Sequence, residues 1–151
     1  MVKVIMVCLG NICRSPLAEG ILKSKVNAEQ VMVTSAGTAA YHIGKGPDIR
    51  SVKVAKEHGI DIRLQKARQF KAADFEVYDY IFVMDQANFD NVVSLASTEK
   101  EKEKVQLILN EISPAMNSEV PDPYYGGEDG FKNVYDMLDL ACDAINKKIS
   151  I

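Results

Sequence analysis

The hydrophobic pattern divides the chain into two kinds of stretch. Lys3 to Cys8, Val31 to Ser35, Tyr78 to Met84 and Val105 to Leu109 are short, nearly continuous apolar runs and predict strands. Within the third, Tyr80-Ile81-Phe82-Val83-Met84 is apolar at every position, as expected of a parallel strand covered on both faces. Between the runs, apolar residues recur at steps of three and four. Leu17, Ala18, Ile21, Leu22 and Val26 share one stripe after Pro16. A second helix is predicted from Pro47-Asp48 to His58, with Gly59 where a left-handed cap is wanted. A third spans roughly Gln86 to Leu95, and Phe131, Val134, Leu138, Ala141 and Ile145 mark the last. The alternating Glu and Lys of Thr98 to Lys104 predict a solvated helix end or loop.

Strands alternating with helices imply right-handed βαβ units. The expected fold is α/β: a three-layer sandwich of a four-stranded parallel sheet with helices on both faces. Such a sheet binds its ligand beyond the carboxyl ends of the strands. At 151 residues, with no repeat or linker, the chain is expected to be a single domain, 1–151, with monomer as the default state. A net charge of −3 without a basic stripe argues against nucleic acid as the main partner. No apolar stretch nears the ~18 residues of a membrane span. An odd count of three cysteines without a secretory segment points to a reducing, cytoplasmic setting.

The chemistry concentrates in "CLGNICRS", residues 8 to 15. Cys8 and Arg14 are separated by five residues, a weak pattern whose placement strengthens it. The loop leaves the first strand at its carboxyl end and enters a helix, with Ser15 expected as N-cap and Pro16 at the first helical position. Gly10 and Asn11 tolerate the left-handed backbone that a tight loop needs. Such a loop turns backbone N–H groups from Leu9, Gly10, Asn11, Ile12, Cys13 and Arg14 toward a tetrahedral anion, inorganic phosphate or a similar oxyanion. The helix start and the planar fork of Arg14 add positive charge at the same point. That field favours the thiolate of Cys8, a nucleophile, and Ser15 is expected both to donate to the sulfur and to cap the helix. A nucleophile at the base of an anion cradle suits phosphoryl transfer, which also needs a proton for the leaving oxygen. Asp122, between Pro121 and Pro123, is the best candidate acid, although the residues alone favour an ordinary proline turn.

"VCLGNICRSP", followed far downstream by "DPYYG", closely resembles the low-molecular-weight protein tyrosine phosphatases. "TSAGT" at Thr34 to Thr38, "KARQ" at Lys66 to Gln69 and "DYIFVMD" at Asp79 to Asp85 extend the resemblance over essentially the whole chain. It implies Cys8 as nucleophile, Arg14 as clamp, and Asp122 as acid in the first step and base toward water in the second. It further implies that Asn11 holds the loop, Ser15 steadies the thiolate and Cys13 traps an oxidised Cys8 as a reversible disulfide. Cys13 also reads simply as an inward-packed small residue. Ile12, where relatives resembling arginine phosphatases carry threonine, favours a flat aromatic phosphoester. Tyr41, Tyr124 and Tyr125 fall where the family has aromatic pocket walls. The implied partners are phosphotyrosine proteins as substrates, with no cofactor and no metal. Gln65 departs from the pattern, since several animal members carry there a histidine bracing the loop asparagine.

Two other readings stay in view. Arsenate reductases share this loop, but they relay oxidation through further cysteines, and Cys142 sits beside the Ala141 core stripe. A non-catalytic phosphate-binding module would have no use for the thiol, and the loop matches neither G-x-x-x-x-G-K-[ST] nor G-x-G-x-x-G. Two cysteines without convergent histidines do not complete a zinc site.

Overall fold

The computed structural model describes residues 1–123 and 127–149. Strands β1 (Val2–Cys8), β2 (Val31–Gly37), β3 (Tyr80–Val83) and β4 (Val105–Leu107) form one sheet in the order β2-β1-β3-β4. All its pairings are parallel, with Val4 of β1 opposite Val33 of β2 and Tyr80 of β3. The helices are α1 (Arg14–Lys25), α2 (Ile49–Glu57), α3 (Asp74–Val77), α4 (Gln86–Val93), α5 (Glu99–Glu103) and α6 (Gly127–Ile149).

Side chains alternate across each strand, and the alternation builds two separate cores. Val4, Met6 and Cys8 of β1 and Phe82 of β3 pack with Leu17, Ile21, Val54, Phe131 and Leu138 of α1, α2 and α6. Ile5, Val7, Ile81 and Val83 face the other way, onto Phe70, Phe75, Tyr78 and Val92. This is the three-layer sandwich that continuous apolar strands call for.

Several boundaries differ from the sequence expectation. β3 starts at Tyr80 because Tyr78 closes α3 and Asp79 ties back to β1, its backbone N–H donating to the Lys3 carbonyl at 2.8 Å. β4 ends at Leu107, and a 3-10 turn follows over Ile108–Glu111. α5 is a full helical turn with no buried residue, which is why no periodicity marks it. Gly59 does take the left-handed conformation, φ 76°, and His58 before it stacks on Tyr135 of α6 at 3.9 Å between ring centres.

The strand order positions the site. β1 lies between β2 and β3, so the chain runs outward on both sides of it, and the loops after β1 and β3 leave the same carboxyl edge at this switch point. Among the described residues, no helix is long and apolar enough to cross a membrane.

Candidate active site

The loop between β1 and α1 is held in shape by side chains buried beneath it. Asn11 adopts φ 57°, a left-handed value open to asparagine, while Gly10 does not. Gly10 is instead a contact position: a Cβ there would sit 3.0 Å from His42 Cδ2. Asn11 Nδ2 donates to Ser15 Oγ at 2.7 Å and to Ser35 Oγ at 2.9 Å, and its Oδ1 accepts from the backbone N–H of Arg68 at 3.1 Å. Ser35 in turn donates to Glu19 Oε1 at 2.7 Å, and Lys23 pairs with the other oxygen of that carboxylate at 2.7 Å. Every polar atom of the Asn11 side chain thus has a partner, which fixes a loop that could otherwise adopt several turns.

Ser15 is not the N-cap. The helix already begins at Arg14 with Cys13 in the cap position and no side-chain cap bond. The reason is that the Ser15 hydroxyl is fully buried and faces inward, where it receives Asn11 and lies 3.0 Å from Cys8 Sγ. Gln65 donates to the Pro16 carbonyl at 3.1 Å, and Ser15, Ser35 and Arg68 brace Asn11 without it. Gly37, the last residue of β2, supports the loop from the other side. A Cβ at this position would meet the Leu9 carbonyl oxygen at 2.7 Å and the Asn11 nitrogen at 3.1 Å.

Arg14 is almost fully enclosed, its side chain 4% exposed, and reaches across the switch point. Its Nη1 donates to Asp85 Oδ2 at 2.7 Å and to the Val120 carbonyl at 3.0 Å. The Val120 N–H donates to the Met84 carbonyl at 2.8 Å, which pins the segment leading to Asp122. On its other side Pro123 is buried. Asp122 itself is exposed and lines a cavity of about 320 Å³ together with Cys8, Arg14 and Cys13. Leu9, Gly10, Ile12, Tyr41 and His42 also line it. Tyr124 and Tyr125 lie outside the described residues.

The low molecular weight phosphotyrosine protein phosphatase family matches residues 3–150 of the chain. The chain belongs to this family. The Schizosaccharomyces pombe low molecular weight phosphotyrosine protein phosphatase is 40% identical over 142 residues, covering 91% of this chain and 90% of that one. A protein tyrosine phosphatase from Entamoeba histolytica, crystallised with Hepes in its active site, superposes with a TM-score of 0.91 at 38% identity over 99% and 97% of the two chains. Vibrio vulnificus Wzb in complex with benzylphosphonate gives 0.87 at 32% identity over 97% and 98%.

Within this low molecular weight phosphatase, burial and nearby charge both act on the second thiol of the loop. Burial first, then the nearby charges of Asp48, Cys8 and Asp122, push the Cys13 thiol up from 9.0 to about 12. Burial works against the Arg14 charge, but Cys8, Asp85 and Asp122 outweigh it and hold the guanidinium above its ordinary value. Cys142 is not among the cavity's lining residues; it is fully buried in α6 with its Sγ 3.8 Å from the Ala18 carbonyl of α1. Asp85, Gly37 and the Ser35–Glu19 pair were not found from the residues. Asp85 had a readable signal, an acid at the carboxyl end of a central strand, by the same rule that singled out Cys8. His42, which fits no catalytic pattern, nonetheless lines the cavity and covers Gly10.

Proposed function

We propose that the chain hydrolyses phosphotyrosine, and small aryl phosphates, through a cysteinyl-phosphate. The observation that carries this reading is the meeting of the Cys8 thiol, the Arg14 guanidinium and the Asp122 carboxyl around a single cavity. The Cys8 thiolate attacks phosphorus while the bond to the ester oxygen breaks, and Asp122 gives that oxygen its proton. The loop N–H groups and Arg14 hold the three equatorial oxygens, where charge is greatest in the transition state. Water then attacks the cysteinyl-phosphate, its proton passing to Asp122, and inorganic phosphate leaves with the thiolate restored. Ser15, close to the sulfur, stabilises the thiolate as both nucleophile and leaving group. Cys13, held as a neutral thiol, cannot replace Cys8 as nucleophile.

Ile12 and Tyr41 favour a flat aromatic ester, with Tyr41 72% exposed and free to lie against a ring. Benzylphosphonate, the ligand of Wzb, joins a phosphonate head to such a ring. Cys8→Ser tests the reading directly. Hydrolysis of p-nitrophenyl phosphate should fall by a factor on the order of 10⁴ or more, as for loss of a covalent nucleophile, with inorganic phosphate still bound. Turnover retained near the starting level would falsify the cysteinyl-phosphate route.

A further inference from the structure

Next to the phosphate cavity lies a larger one of about 580 Å³, and the two share Leu9 and Tyr41 in their walls. Its other walls come from Gln69 to Ala72 and from α4 and the turn after it, including Asn91 and Leu95. Buried Phe70 and Val92 form an apolar base. Leu9 and Leu95, 42% and 43% exposed, stand at its rim with Tyr41. Scattered exposed apolar residues are ordinary, but several around one groove mark a surface that takes a partner. Among the described residues, Lys71 is the one charged residue in these walls. It is exposed, and among the described residues its ammonium has no carboxylate partner.

We propose that this groove receives the stretch of substrate chain flanking the phosphotyrosine, and that it favours an apolar residue together with an acidic one whose carboxylate meets Lys71. The proposal rests on the phosphotyrosine reading above. A phosphotyrosine with its phosphate over Cys8 must lead its backbone out past the cavity rim, and at Leu9 and Tyr41 that rim is already the wall of the groove. A cavity walled by Arg50, Lys53 and Phe131, and another by Glu19, Lys23 and Gln65, share no wall residue with the phosphate cavity and offer no such exit. On a chain with net charge −3, the Lys71 cation in a groove of mixed apolar and uncharged polar walls also selects by sign, since approach of an acidic peptide elsewhere is opposed.

The test compares phosphotyrosine peptides carrying Glu, Lys or Ala at each of three positions on either side. Each kcat/KM is divided by that for p-nitrophenyl phosphate, which is too small to enter the groove. The native protein should prefer Glu over Lys at one position by about two- to five-fold, the size of an exposed ion pair. Lys71→Glu should invert that preference, Lys71→Ala should abolish it, and Leu95→Asp should lower the ratio for every peptide. A preference that survives Lys71→Glu at all positions overturns the proposal. An unchanged ratio with an altered sedimentation coefficient assigns the groove to a second copy of the chain and overturns it equally. If the native protein fails to hydrolyse p-nitrophenyl phosphate at all, the phosphatase reading itself falls, an outcome distinct from a lost peptide preference.

Discussion

Cys8 and Cys13 stand five positions apart in one loop, both buried, yet their surroundings set them to different tasks. Cys8 has the Ser15 hydroxyl at 3.0 Å and Arg14 in the same cavity wall. Cys13 has burial and the carboxylates of Asp48 and Asp122, which together push its thiol to about 12, and burial does the same for Cys142. A raised thiol value means a protonated, unreactive sulfur at neutral pH. Iodoacetate at pH 7 should therefore modify Cys8 alone, with inorganic phosphate protecting it, and mass spectrometry of the digested protein reads the site. Modification of Cys13 at a comparable rate would contradict its neutral state. The sign of the stability effect follows from the same values. Below pH 9.0 both folded and unfolded thiols keep their protons; between pH 9.0 and about 12 only the unfolded chain releases them, so stability falls as pH rises through that window. The sequence could place both cysteines in the loop, but not their difference, which depends on Asp48, Arg50 and Asp122 arriving from elsewhere.

At the scale of elements, the loop depends on what β2 presents to it. β2 ends in Gly37, whose missing side chain leaves room for the Leu9 carbonyl and the Asn11 nitrogen. Both neighbours are backbone, so an added methyl cannot be absorbed by a rotamer change and must push the loop. Gly37→Ala should cost about 1–3 kcal/mol as an overpacked contact. It should also lower kcat on the order of 10–100-fold through displacement of the loop, with circular dichroism unchanged. A wild-type kcat would mean that the loop position tolerates this shift. The "TSAGT" segment was legible as a motif, while its reason, the end of β2 lying backbone against backbone with the loop after β1, was not. Strands and long helices were legible because burial imposes a period on them: β1 alternates between two cores and α6 repeats every three to four residues. α3 has four residues and α5 has no buried one, so neither writes a period into the sequence. Ser-Pro is a strong helix signal, yet α1 starts one residue earlier, at Arg14. Tertiary hydrogen bonds to Asn11 and Cys8 claim the Ser15 hydroxyl first.

Across the whole molecule, the site exists because the sheet brings together segments far apart in the chain. Arg14 Nη1 joins the loop after β1 to Asp85 after β3, and to Val120 beside the Asp122 segment. Asp85 serves two structures at once, since Oδ2 accepts from Arg14 at 2.7 Å while Oδ1 accepts from the Asn88 N–H at 2.8 Å and caps α4. Asparagine has only one acceptor oxygen and so cannot do both. In Asp85→Asn, the oxygen that caps α4 leaves an amide donor facing the guanidinium, so the helix is kept and the clamp is lost. In Asp85→Ala both are lost. The two variants should therefore show a similar fall in kcat/KM for p-nitrophenyl phosphate, roughly tenfold for one charge-assisted hydrogen bond. They should differ in stability by about 1 kcal/mol, the usual worth of an N-cap. Asp85→Asn with native kcat/KM would show that Arg14 holds its position without the carboxylate. Equal stability of the two variants would show instead that the capping bond contributes little. Because the pair is 71 residues apart in sequence, only the β1–β3 pairing makes it a pair, and the measurement tests the topology as well as the residue.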